Sequence, residues 1–175
     1  MAEEDNADCG IPNTCKRIIP WWLVALDNIP TFVLFVLGTM IVWWFWKFLA
    51  IVFFIYCIIS IVLFWYLICP YCHHYNTKAC PCGYGSIASK CFKTKSKQEK
   101  HYFRVVFRRN IVIMFPCWFT PLILGLFLLL TAYSLLTLVI FIIFCLDGFL
   151  FIPAISIFVG CKKCEVKADC PWISK

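Results

Sequence analysis

Cysteine residues in two parts of the sequence are spaced so that they can bind a metal ion. Cys69 and Cys72 are separated by two residues, and so are Cys161 and Cys164. This gap lets two thiolates converge on one ion within a tight turn of the backbone. In a reducing cytoplasm, thiols grouped in this way are more often metal ligands than disulfides. The candidate metal ligands are Cys69, Cys72, His73, His74, Cys80, Cys82, Cys91, Cys161, Cys164 and Cys170.

Short resemblances to known ligand motifs bear on which metal is bound. The segments 69–72 (Cys-Pro-Tyr-Cys) and 80–83 (Cys-Pro-Cys-Gly) resemble the knuckles of zinc ribbons, in which Pro and Gly shape a turn that points backbone amides at sulfur. The run that ends in Cys170-Pro171 is similar to iron–sulfur ligand runs, which often end in Cys-Pro. Its gap from Cys164 to Cys170 is too long for the bacterial ferredoxin pattern. Thiolate ligands suit both zinc and an iron–sulfur cluster and do not distinguish them here. Zinc is the predicted cofactor, with an iron–sulfur cluster as the alternative.

Two further interpretations of the same residues stay open. Residues 69–73 match Cys-x-x-Cys-His, the attachment motif of c-type haem, although such attachment belongs to the extracytoplasmic face. Cys-Pro-Tyr-Cys also resembles the active-site dithiol of glutaredoxins, but no thioredoxin-like strand pattern precedes it. Cys9 and Cys15 add two thiols in the polar N-terminal tail, at a spacing that is not diagnostic of metal ligands.

The composition places these cysteines in a membrane protein. Of the 175 residues, 63% are hydrophobic and 14% are charged, and the mean hydropathy is +0.86, all far from the averages of soluble proteins. The apolar residues form two blocks, 29–68 and 111–159, each about twice as long as a helix needs to cross a hydrocarbon core of ~30 Å. Each block must fold back once. This predicts an all-α integral membrane protein with four transmembrane helices as two hairpins, joined by a cysteine-rich metal-binding loop.

Prolines, charges and polar residues within the two blocks predict where the helices begin and end. Pro30 suits the first turn of a helix, so an interfacial segment from Pro20 is expected to lead into the first span. Lys47, which lies among tryptophans, marks the first hairpin turn. The four spans are expected at about 30–46, 48–68, 111–130 and 138–159. The predicted divisions are an N-terminal tail (1–19), the interfacial segment and first hairpin (20–68), the loop (69–110), the second hairpin (111–160) and a C-terminal tail (161–175).

The charge of the loop predicts its side of the membrane. Eight Lys and Arg residues lie between Lys90 and Arg109, against one acid, Glu99. Loops with such an excess stay on the cytoplasmic side. Two hairpins place both ends of the chain on that same face, so the loop and both termini are expected in the cytoplasm, where loop and tail can share one metal site. The acidic N-terminus lacks the basic region of a secretory signal peptide, so the first helix is expected to act as the insertion signal.

The function predicted from these features is structural. No Walker-type glycine loop, serine nucleophile motif or His-Glu-x-x-His signature is present in the sequence, which favours a protein that is not an enzyme. The leading prediction is a membrane-embedded accessory or structural subunit of a larger membrane complex, with a zinc site that joins the loop to the C-terminal tail. The alternative is an iron–sulfur electron-transfer protein. Expected partners are membrane lipids and other membrane-protein subunits, not nucleic acid, because no recognition helix or aromatic stacking platform is visible.

Asp147 is the one carboxylate deep in an apolar run of the sequence. An acid inside the membrane is a candidate for proton or ion handling. Because no second acid lies along the predicted spans to complete a relay, a hydrogen bond inside the helix bundle is the preferred interpretation.

Overall fold

Four long helices form the apolar part of the protein. They cover Trp21–Phe45, Lys47–Tyr71, Phe103–Thr131 and Leu135–Phe158 in a computed structural model that describes residues 19–72, 74–78, 80, 82–92 and 100–161. Each is long and apolar enough to cross a membrane. No strand occurs in the residues described. The prediction of an all-helical membrane protein with four candidate spans is confirmed.

The four long helices and the loop are built from shorter elements. In chain order these are α1 (Trp21–Phe45), α2 (Lys47–Leu67), a 3₁₀ turn (Cys69–Tyr71), α3 (Tyr84–Cys91), α4 (Lys100–Asn110), a 3₁₀ turn (Ile111–Met114), α5 (Phe115–Thr131), α6 (Leu135–Leu146), a π-helix (Asp147–Phe151), α7 (Ile152–Ile155) and a second π-helix (Ser156–Cys161). The third span joins α4 to α5, and the fourth runs from α6 into the second π-helix. Part of the predicted loop is therefore helical.

The first helix begins earlier than the position of Pro30 predicts. α1 starts at Trp21, directly after Pro20, and Pro30 is buried in its interior. A proline is tolerated inside a membrane helix because neighbouring helices and polar side chains satisfy the backbone groups that it frees. The expected interfacial segment is therefore the first two turns of α1, which reaches 25 residues and is long enough for the hydrocarbon core.

Both hairpin turns lie close to their predicted positions. α1 ends at Phe45, and α2 begins at Lys47 after one residue with an extended backbone. The Lys47 ammonium group lies 5.9 Å from the centre of the Trp43 ring, an arrangement that suits the headgroup layer. In the second hairpin only residues 132–134 separate α5 from α6.

α1 is the centre of the bundle, because the other three spans all pack against it. Gly38 of α1 faces Pro121 of α5 and Phe53 of α2. Gly125 of α5 faces Phe141 of α6. Small residues at such contacts let membrane helices approach closely, and this close packing holds helices together where the hydrophobic effect does not.

Contacts along α1 define the direction of the fourth span. Leu34 lies against Gly148 of the fourth span. Further along α1, Ile41 lies against Gly125, and Phe141 of the fourth span packs on the same glycine. Residue numbers therefore rise along α1 as they fall along the fourth span, so the two helices are antiparallel. The fourth span ends on the face of the bundle from which α1 begins, as two hairpins require.

Asp147 lies at the start of the first π-helix and is buried. Its Oδ2 atom has no hydrogen-bond partner among the residues described, so the expected hydrogen bond inside the bundle is not found for this atom. Because π-helical turns are frequent at functional sites, Asp147 stays a candidate for proton or ion handling.

A buried hydrogen-bond network joins α2 to α5. The Ser60 hydroxyl donates to the Cys57 carbonyl oxygen at 2.9 Å, and it lies 3.3 Å from Cys117 Sγ. In the second contact either the hydroxyl or the Cys117 thiol can be the donor. All three residues are fully buried. The network therefore ties the two hairpins together in the interior of the bundle.

We expect Ser60→Ala to lower the free energy of unfolding by about 1 kcal/mol, because it removes the buried hydroxyl that bonds to the Cys117 thiol across the two helices. Reversible unfolding in mixed detergent micelles measures this change. Thr131→Ala is the matched control, since the exposed Thr131 hydroxyl donates only to Phe127 O of its own helix. Equal losses in the two variants would contradict a stabilising role for the network.

Candidate metal centre

The cysteine-rich loop lies at the end of the bundle where α1 begins. The 3₁₀ turn Cys69–Tyr71 follows α2 directly, and α3 packs against that turn. Ile19, just before α1, donates its backbone N–H to Lys78 O at 3.1 Å. Asn28 Nδ2, within α1, donates to Cys82 O at 3.1 Å. Two hydrogen bonds between residues distant in sequence therefore attach the loop to α1 and to the residue that precedes it.

The turn after Cys80 points backbone amides at its sulfur. Gly85 donates its N–H to Cys80 Sγ at 3.4 Å, and the nearby backbone amides of Cys82 and Gly83 also favour the thiolate form of this side chain. Gly83 has a positive φ of 73°, a conformation that glycine adopts without strain. Burial raises the pKa of the Cys80 thiol, and the three amides oppose that rise because they stabilise the thiolate. This is the feature that the resemblance to zinc knuckles implies.

Cys82 is held against a carboxylate of α1. Its thiol lies beside Asp27, and burial, followed by the negative charge of Asp27, raises the pKa of this thiol well above its ordinary value. Gly83 packs so closely on the same helix that a Cβ there would lie 2.6 Å from Val24 Cγ1. Asp27 was not among the predicted site residues. The available signal was an acid beside Asn28 in an otherwise apolar segment.

Cys69, Cys72, Cys80 and Cys82 form what we call the loop thiol cluster. Cys69 interacts electrostatically with Cys72 and Cys80, and Cys82 does so with Cys80 and Cys72. Within the described part of the chain, however, no three His, Cys, Asp or Glu side chains are close enough together to hold a metal ion. The four thiols thus share one region without converging on a single point.

Tyr84, the first residue of α3, lies beside the loop thiol cluster. Burial raises the pKa of its hydroxyl, and the nearby charges of Cys82 and Asp27 raise it further. Its ring packs between those of Phe64 and Trp65, with centroid distances of 6.0 and 5.7 Å. The aromatic side chains therefore cover the cluster on the side of α2.

The structure describes three of the remaining predicted ligands: His74, Cys91 and Cys161. His74 is buried, and its carbonyl oxygen approaches the Gly85 backbone so closely that a Cβ on Gly85 would lie 2.6 Å away. Cys91 is exposed at the end of α3. Cys161 is the last residue of the second π-helix, just beyond the fourth span and on the loop face of the bundle. The predictions for Cys9, Cys15, His73, Cys164 and Cys170 concern residues outside the described part of the chain.

Comparisons of the chain with protein-family models, curated proteins and solved structures find no match. The function of the chain is therefore inferred from its own residues.

Proposed function

We propose that the chain is a membrane-embedded accessory or structural subunit of a larger membrane complex, and that a zinc ion bound by the loop thiol cluster fixes the loop on α1. Four thiolates are a complete ligand set for a structural zinc site. Such a site needs no open coordination position and no catalytic group. The bound zinc would order a surface at one end of the bundle that neighbouring subunits can contact.

The observation that supports this proposal best is the hydrogen bond that the Gly85 amide donates to Cys80 Sγ. Amide donors stabilise a thiolate, and thiolate is the form of cysteine that binds metal. Zinc would also displace the proton of the Cys82 thiol, whose pKa burial and the charge of Asp27 hold well above its ordinary value. The free energy of binding structural zinc, about 10–16 kcal/mol in small domains, is large compared with the cost of drawing four nearby thiols together.

The proposal extends to the C-terminal tail and to the orientation of the protein. The second π-helix ends at Cys161 on the loop face, and the proposal adds Cys164 or Cys170, which follow it in the sequence, as a tail ligand in place of one of the four loop thiolates. The excess of Lys and Arg in the loop supports a cytoplasmic position for this face. On this proposal, zinc joins two segments that are about 80 residues apart in sequence.

Metal analysis and an absorption spectrum of the anaerobically purified protein test the proposal together. The expected result is one zinc ion per chain without visible absorbance. Brown colour that dithionite bleaches would replace the structural function by the iron–sulfur alternative. A Soret band from covalently attached haem, or a chain that contains no metal, would overturn the proposal.

A further inference from the structure

One face of the third span changes from apolar to basic at the end that lies near the loop. Val105, Arg108, Arg109 and Val112 recur at the i, i+3, i+4 and i+7 positions of a single helical face. Val105 is 50% exposed and Val112 is 54% exposed, and both arginines between them are exposed. Two cations therefore lie on a surface that is otherwise apolar.

The opposite face of the same turns packs into the protein. Val106 and Phe107 are 4% and 8% exposed, and the Phe107 ring lies 6.4 Å from that of Phe64 in α2. Because the buried face fixes the rotation of the helix, Arg108 and Arg109 are directed away from the bundle. The outward surface continues along α5 through Phe115, Phe119 and Ile123, which are all exposed.

The length of the third span places the arginine pair in the headgroup layer. The span Phe103–Thr131 has 29 residues, or about 43 Å at ~1.5 Å per residue. Counted from Thr131 at the opposite face, ~20 residues cross the hydrocarbon core and reach Val112. Arg108 and Arg109 lie one turn beyond that point, at the depth of lipid phosphates.

No carboxylate in the described part of the chain pairs with these guanidinium groups. The described acidic residues are Asp27, which contacts Cys82, and Asp147, which lies in the fourth span. A guanidinium group is a fork of N–H donors that matches the oxygens of a phosphate. The surface thus presents two phosphate-binding groups directly above an apolar stripe.

We propose that Arg108 and Arg109 bind the phosphate of an anionic phospholipid whose acyl chains lie along Val112, Phe115 and Phe119. Each part of the lipid meets the chemistry that suits it: phosphate oxygens meet guanidinium groups, and hydrocarbon meets Val and Phe. The paired positive charge selects a lipid with a net negative charge over a zwitterionic one. This site does not depend on the zinc proposal, because no cysteine takes part in it.

Native mass spectrometry of the purified full-length chain tests the site, with phosphatidylglycerol as the anionic lipid and phosphatidylcholine as the zwitterionic one. The wild-type chain is expected to retain phosphatidylglycerol at least tenfold better. R108Q/R109Q should weaken this binding about thirtyfold, or about fivefold for each cation removed. R109Q alone should weaken it about fivefold, which keeps the test available if the double variant folds poorly.

The matched control is K78Q/K90Q, which removes the same charge from two exposed lysines of the loop. It is expected to leave phosphatidylglycerol binding unchanged within twofold. An equal loss in this control would assign the attraction to net charge and overturn the site. Equal retention of the two lipids, or displacement of phosphatidylglycerol by millimolar inorganic phosphate, would overturn it as well.

Discussion

Replacing Cys80 by serine is expected to release the zinc ion and open the loop between α2 and α3. Cys80 combines a thiolate with the amide donors of the turn that follows it, so the substitution removes a metal ligand and weakens the turn. If the loop loses about 3 kcal/mol of the ~10–16 kcal/mol that structural zinc contributes, its open population rises roughly a hundredfold. Trypsin cleavage after Lys78 and Lys90, two exposed lysines on either side of Cys80, measures this opening.

Two controls separate metal binding from a general effect of losing a thiol. Cys145→Ala removes a half-buried thiol from α6 and is expected to leave zinc content and cleavage unchanged. A strong chelator added to the wild-type chain should reproduce the cleavage of the Cys80 variant. A Cys80→Ser chain that keeps one zinc ion and the wild-type cleavage rate would show that the loop thiol cluster is not the metal site.

The same assay tests whether the C-terminal tail belongs to the site. If loop and tail share one ion, Cys164→Ser should speed cleavage at Lys78 and Lys90 although it changes neither the sequence nor the described contacts of the loop. Unchanged loop cleavage, with zinc retained, would confine the site to the loop thiol cluster.

The number of spans could be predicted from sequence because it follows from lengths alone. Two apolar blocks of about twice the thickness of the hydrocarbon core leave room for one fold in each. The first turn could also be placed, since Lys47 is costly in hydrocarbon and tryptophans favour the headgroup layer. Both predictions depend only on how each segment interacts with the bilayer, and not on which helices pack together.

The start of α1 could not be predicted because it depends on tertiary contacts. Proline lacks an N–H, so inside a helix it leaves the carbonyl group four residues earlier without its donor. In the first turn no such carbonyl group is lost, which is why proline is common there. In the bundle, Pro30 is buried among neighbouring helices, and the helix continues through it to Trp21. Likewise the basic residues before Asn110 looked like loop, whereas α4 continues into the third span.

The candidate site was predictable in its cysteines but not in their partner on α1. The resemblance of the Cys-Pro-Cys-Gly segment at 80–83 to a zinc knuckle indicated a turn directed at sulfur, and the amide contact from Gly85 has that form. Asp27 contacts Cys82 across 55 positions of sequence, and no local pattern reveals such a contact. Only the fold shows that the first helix passes beside the loop.

Enlarging Gly38 is expected to force apart three helices at the centre of the bundle. A Cβ at this position would lie 2.9 Å from Cγ of Pro121 and 3.3 Å from Cε1 of Phe53. Replacing glycine by alanine inside a helix ordinarily gains ~0.5–1 kcal/mol, whereas overpacking costs ~1–3 kcal/mol. The proline ring is closed on its own backbone and cannot rotate away, so the cost outweighs the gain. We expect Gly38→Ala to lower the free energy of unfolding by about 1–2 kcal/mol, and Gly38→Leu by about 3 kcal/mol or more.

Reversible unfolding in mixed micelles measures these losses, with Val36→Leu as the control. Val36 lies on the same helix but faces outward, so its enlargement meets lipid and should change stability by less than about 0.5 kcal/mol. A double-mutant cycle with Pro121→Ala then tests the cause. If the clash with the proline ring is responsible, the double variant should be more stable than the sum of the single changes predicts, by about 1 kcal/mol. Additive losses would instead show that Phe53 of α2, and not Pro121 of α5, limits the size of the side chain at position 38.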